Sequence, residues 1–151
     1  MSIEHFNQIK HLIQEAEKSG LLFAARELTG FSGEKVIGTL QRIAKYQESI
    51  GAGCYLEVGV FQGLTLISVA CVLDENVAYG VDNFAYFDPE KTNQRIVTER
   101  AKMNDLDNIR IINADYEDAL ENLPEYIGVS KIGTYFIDGP HDYRSQLVCL
   151  Q

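Results

Sequence analysis

The chain has 151 residues, 46% hydrophobic and 23% charged, with a net charge of −9. That is the size and composition of one globular domain. The acidic balance disfavours a nucleic-acid phosphate backbone as partner, and no apolar run approaches the ~20 residues of a membrane span.

The first twenty residues, MSIEHFNQIKHLIQEAEKSG, carry scattered charges and no apolar signal core. Ile3, Phe6, Ile9, Leu12, Ile13 and Ala16 recur at helical spacing, with Gly20 as a stop signal. LLFAARELTG predicts a short second helix ending at Gly30. The next stretch, 31–51, predicts a third helix with Ser32 as its cap and Gly51 as its terminator. Residues 1–52 therefore read as an N-terminal helical cap.

From Cys54 the rhythm changes. CYLEVGV predicts a strand, GLTLISVACVL a helix and AYGVDNF a second strand. PEKTNQRIVTERAKMND predicts a helix opened by Pro89. NIRIINAD follows as a third strand, then YEDALENLPEYIG as a helix turning at Pro124. KIGTYFIDG is a fourth strand, and HDYRSQLVCLQ begins another helix. Strands alternating with helices imply an α/β fold with right-handed crossovers and a parallel sheet. With the first strand central, the expected order is 3-2-1-4, half of a Rossmann-like doubly wound sheet spanning 53–151. The three cysteines, Cys54, Cys71 and Cys149, lack C-x-x-C spacing, so reduced thiols in a cytoplasmic protein are expected.

Ligands of open α/β sheets bind beyond the carboxyl ends of the strands. An acid lies at or near each of those ends: Glu57, Asp82, Asp115 and Asp138. Gly59 and Gly63 allow a tight turn and a close ligand approach, and the following helix start favours a carboxylate or phosphate. Glu57 beside that loop would repel a pyrophosphate and attract an ammonium group. Asp82 follows Gly63 at about the 20-residue distance expected of an acid that binds ribose hydroxyls. The inferred ligand has a ribose, a cationic group and a carboxylate.

S-adenosylmethionine has those parts, and here the sequence resembles a family. LEVGVFQGLTLI resembles the E-x-G-x-x-x-G motif of class I S-adenosylmethionine-dependent methyltransferases. YGVDNF, NADYEDAL and Asp138-Gly139-Pro140-His141-Asp142-Tyr143 resemble the later motifs, the last being D-G-x-H-x-Y of a small-molecule branch, methyltransferase family 24 in type. The resemblance implies that Glu57, Gly59 and Gly63 line the methionine part of the cofactor. It implies that Asp82, with Asn83, binds the ribose and that Asp115 and Tyr116 flank the adenine. Asp138 would lie near the amino group or the acceptor.

Methyl transfer needs a nucleophile aligned with the activated methyl group, and a hydroxyl acceptor gains from a base. His141, with Asp138, is the catalytic candidate, because an imidazole titrates nearest neutrality. Asp138 and Asp142 are hard oxygens suited to Mg²⁺, but Pro140 and the lack of a downstream acidic pair disfavour a metal, and no metal ligand is assigned. The expected partner is a small-molecule acceptor. Family members carry further strands after the fourth, so the fold is expected to be incomplete at its C-terminal end. Either the chain is a piece of a longer protein, or another chain, such as a second copy, covers the exposed strand edge. Two alternatives remain at this point: a nicotinamide-dependent oxidoreductase, and a non-catalytic fragment that keeps half a cofactor fold.

Overall fold

The structure, a computed structural model, describes residues 2–139 and 141–150. The D-G-P-H-D-Y stretch is thus described except at Pro140, which lies outside these residues. The elements in chain order are α1 (Ile3–Ser19), α2 (Glu34–Ser49), β1 (Cys54–Val58), α3 (Leu64–Ala70), β2 (Ala78–Val81) and α4 (Asn93–Met103). They continue with β3 (Ile109–Ile112), α5 (Tyr116–Glu121), α6 (Leu123–Ile127), β4 (Ile132–Ile137) and α7 (Tyr143–Cys149).

The four strands are parallel and ordered β3-β2-β1-β4. The chain steps outward from β1 through β2 to β3 and then returns to the other side of β1. The switch point is therefore the gap beyond the ends of β1 and β4. Central β1 is buried at every position, and its alternating side chains feed two cores. Tyr55 packs with Leu40, Leu66, Ile67 and Val97 on the face covered by α2, α3 and α4. Leu56 and Val58 pack with Val81, Ile112 and Ala119 on the opposite face, beneath α5 and α7. Each fully buried aliphatic side chain contributes roughly 2 kcal/mol. Among the described residues, no helix is long and apolar enough to cross a membrane.

The expected strands and main helices form, with three local corrections. The predicted helix over 21–30 is absent, and that segment runs as turns. Its backbone groups bond elsewhere: Leu22 and Phe23 N–H donate to Gln41 Oε1 at 2.9 and 3.2 Å. Gln41 Nε2 donates in turn to Phe23 O and Ser68 O, both at 2.8 Å. One fully buried amide thus replaces helical bonding. Ser32 does not cap α2; Gly33 holds that position without a side-chain cap bond. Pro89 does not open α4, which starts at Asn93 because the Asp88 carboxylate accepts from Thr92 N–H and Asn93 N–H at 2.7 and 3.1 Å. Gly20 does stop α1: its φ is 67° and its N–H donates to Ala16 O at 2.8 Å.

Candidate functional site

The loop over 59–63 leaves β1 at the switch point. Val60 N–H and Phe61 N–H both donate to Asp82 Oδ2 at 2.8 Å, and Phe84 N–H donates to Oδ1 at 2.7 Å. Asp82, at the end of β2, therefore holds the glycine loop in place. Three of the roughly four acceptor sites of a carboxylate are used, leaving one on Oδ1 for a ligand hydroxyl.

Gly59 has φ 93°, and a Cβ there would lie 2.4 Å from Asp138 O and 2.6 Å from Gly139 N. The missing side chain at this position admits the protein's own backbone, so the loops after β1 and β4 meet here. Gly63 has φ 80°, in the left-handed region, where it turns the chain into α3.

Glu57 is fully buried. Its Oε2 accepts from the Tyr55 hydroxyl and its Oε1 from the Thr65 hydroxyl, each at 2.6 Å. Burial outweighs these two bonds and pushes its pKa up to about 8, with the negative charges of Asp138 and Asp82 adding to the rise. The Tyr55 hydroxyl is held well above its usual value, chiefly by burial and then by Glu57. In this arrangement Glu57 lies under the loop, with both oxygens engaged by the protein.

The remaining acids sit in more open surroundings. Asp115 is exposed and caps α5, accepting from Glu117 N–H at 2.9 Å. The half-buried Tyr116 donates its hydroxyl to Ser145 Oγ at 2.9 Å, tying α5 to α7. Asn83 is exposed, with Oδ1 accepting from Ala85 N–H at 3.0 Å. His141 Nε2 lies 4.0 Å from Asp138 Oδ1, with side-chain exposures of 80% and 37%. Burial raises the pKa of Asp138, and His141 opposes that rise. Asp142 caps α7, accepting from Ser145 N–H at 3.0 Å and Ser145 Oγ at 2.6 Å, and these bonds hold its pKa low. Asp138 and Asp142 thus differ in state, one half-buried beside His141 and the other committed to a helix cap.

Several residues of this corner were not singled out from the sequence. Tyr55 and Thr65 complete the Glu57 network. A signal for Tyr55 existed, since residues two apart on a strand share a face. Arg100 on α4 donates to Gln62 O at 2.8 Å and to Thr29 Oγ1 at 2.8 Å, so it ties the loop to the 21–32 segment. Phe31 and Phe61 are in ring contact across the same junction, with centroids 5.6 Å apart. No periodicity announces these links, because they join parts of the chain distant in sequence. A cavity of about 330 Å³ lies behind the loop, lined in part by Leu28, Gly30, Ile37, Leu64 and Ser68. It is the gap left where the non-helical segment crosses α3, and it lies apart from the strand-end acids.

Comparison with known proteins decides the family. Residues 56–151, more than half of the chain, match the family described as "Methyltransferase domain". The chain belongs to this methyltransferase family. Curated proteins give no match to the sequence. The methyltransferase domain resembles the solved O-methyltransferase from Bacillus cereus in complex with SAH, with a TM-score of 0.55 and 17% identity. The alignment covers 88% of this chain and 54% of that one, so the chain spans about half the length of the protein it matches. At that identity the likeness shows a shared fold. A Klebsiella pneumoniae structure, provisionally described as an O-methyltransferase, aligns with a TM-score of 0.44 and 15% identity over 76% of this chain and 46% of that one. It is too distant to carry an argument.

Proposed function

We propose that this methyltransferase domain binds S-adenosylmethionine at the carboxyl ends of β1, β2 and β3 and methylates a hydroxyl of a small molecule. The observation that carries the reading is the glycine loop at the switch point, clamped by Asp82 and packed at Gly59 against the Asp138 backbone, with His141 4.0 Å from the Asp138 carboxylate. Family membership and the SAH-bound fold relative support it.

The donor set fits the cofactor. Asp82 keeps an acceptor site for a ribose hydroxyl. Asn83 follows it in the chain, and Asp115 and Tyr116, at the start of α5 after β3, are the residues proposed to flank the adenine. Asp138 presents a half-buried carboxyl toward a cationic group or the acceptor. Bound there, S-adenosylmethionine supplies a methyl group on a sulfonium centre that needs no further activation. The chain's own work is to fix the loop, shape the ribose and adenine walls and orient the acceptor. His141, steered by Asp138, takes the proton from the acceptor hydroxyl at Nε2 or Nδ1. The nicotinamide alternative finds no support in the family match, and no observation favours it.

The test is calorimetric titration with S-adenosylhomocysteine, followed by a methyl-transfer assay over a panel of hydroxylated small molecules. Binding in which the Asp82→Ala variant is at least about tenfold weaker supports the reading. A folded protein that releases no heat with S-adenosylhomocysteine argues against it.

A further inference from the structure

We propose that α4 sets the second half of the glycine loop: its face made by Asn93, Val97 and Arg100 grips Gln62 and Gly63, and these three are positioning residues for the proposed cofactor site. The inference deepens that reading and rests on it. In the sequence the three stand at i, i+4 and i+7, which is one face of a helix. The fold turns that face onto the end of the loop.

Gln62 is held twice. Its Nε2 donates to Asn93 Oδ1 at 2.9 Å, and its carbonyl accepts from Arg100 Nη1 at 2.8 Å. Between these two bonds Val97 packs against Gly63: a Cβ on Gly63 would lie 3.3 Å from either Val97 methyl group. Asn93 and Val97 are 2% and 1% exposed, so the grip lies out of water, where a hydrogen bond left unmade is costly. Asp82 fixes the other half of the loop through Val60 and Phe61. The loop is thus set along its length from two sides.

The same face of α4 reaches two more segments. Asn93 Nδ2 donates to Phe87 O at 3.2 Å, and Asn93 N–H donates to the Asp88 carboxylate at 3.1 Å. The chain that follows Asp82 is therefore fastened to the helix turn that holds Gln62. Arg100 donates from Nη1 to Thr29 O at 3.2 Å and from Nη2 to Thr29 Oγ1 at 2.8 Å, which brings in the segment before α2. A loop held this way has little ordering left to do when a ligand arrives, so releasing the grip should weaken binding.

The experiment compares wild type with Gln62→Met and Arg100→Met, which keep much of the side-chain bulk and remove the donors. Amide hydrogen exchange without ligand is read at Val60, Phe61 and Gly63, whose N–H groups bond to Asp82 and to Val60 O. Ala78 N–H, which donates to Asn108 O at 2.8 Å, is the reference in the core. Both variants should exchange about tenfold faster at the loop, with Ala78 within about threefold of wild type. Both should bind S-adenosylhomocysteine about tenfold more weakly by calorimetric titration.

Three outcomes overturn the inference. One is loop exchange at the wild-type rate. Another is equal acceleration of the loop and Ala78, the mark of a general loss of stability. The third is faster loop exchange with unchanged affinity for S-adenosylhomocysteine. Should Arg100→Met not fold, the half-buried Gln62 still decides through its own variant. If wild type itself does not bind S-adenosylhomocysteine, the cofactor reading fails, and the exchange series still tests whether α4 holds the loop.

Discussion

Between Glu57 and Gly63 the chain is fastened from below and from the side. Glu57 is sealed under the loop with two hydroxyls on it, and Asp82 takes the N–H groups of Val60 and Phe61. A few ångströms away, the chain beyond β4 presents its chemistry to solvent. His141 is 80% exposed, and Asp138 has it as a neighbour at 4.0 Å. The two corners meet where Gly59 packs on the Asp138 carbonyl. The difference teaches a division of labour. On the proposed function, a loop that presents a fixed surface to a cofactor would have its backbone donors satisfied before any ligand arrives, and a base that takes a proton from a variable partner would stay accessible.

The strongest way to break this contrast is to force the corners apart. Gly59→Ala places a Cβ against the Asp138 backbone at a φ of 93°. It is expected to cost about 3–5 kcal/mol in urea unfolding and to abolish cofactor binding. Asp82→Ala strands three backbone N–H groups. Its expected cost is about 2–3 kcal/mol by the same measurement. Glu57→Gln sharpens the buried side of the comparison, since its effect should depend on pH, moving from slightly unfavourable in acid to increasingly favourable as the pH rises toward about 8 and levelling off above it. The contribution of the wild-type carboxyl is fully present below the ordinary pKa of 4.5 and is lost as the pH rises through about 8. His141→Ala sharpens the open side. Stability should move by no more than about 0.5 kcal/mol. Turnover of a hydroxyl acceptor should fall by about 10²–10⁴, with S-adenosylhomocysteine affinity unchanged. A large loss of stability in His141→Ala would erase the distinction between the two corners.

The parts of the molecule that were legible in the sequence are those written in local patterns. The shift from helical to strand periodicity at Cys54 and the alternation of strands with helices after it led to the order β3-β2-β1-β4. Helix ends with a strong local signal, such as Gly20, were also readable. The 21–30 segment was not, because its conformation depends on Gln41, the one polar side chain among the buried positions of α2. A propensity argument favours helix there, and tertiary hydrogen bonding overrides it. At the site, the sequence placed four acids at or near the strand ends but did not reveal their depth. Glu57 and Asp82 stand equally at strand ends, yet one is sealed in the core and the other clamps a loop at the surface. Depth follows from which strand is central and what covers it, and the Gly59 contact with β4 spans a long stretch of intervening chain.

The central claim is that the clamped loop after β1 is a nucleoside cofactor site whose geometry Asp82 sets. Isothermal titration of wild type and Asp82→Asn with S-adenosylhomocysteine, with a nicotinamide dinucleotide as control, tests it most directly. Asparagine keeps one oxygen acceptor but weakens the clamp on three N–H groups. The account predicts one site for S-adenosylhomocysteine, an affinity reduced about tenfold in Asp82→Asn, and no heat from the dinucleotide. Equal affinity in both proteins, or a preference for the dinucleotide, would contradict it.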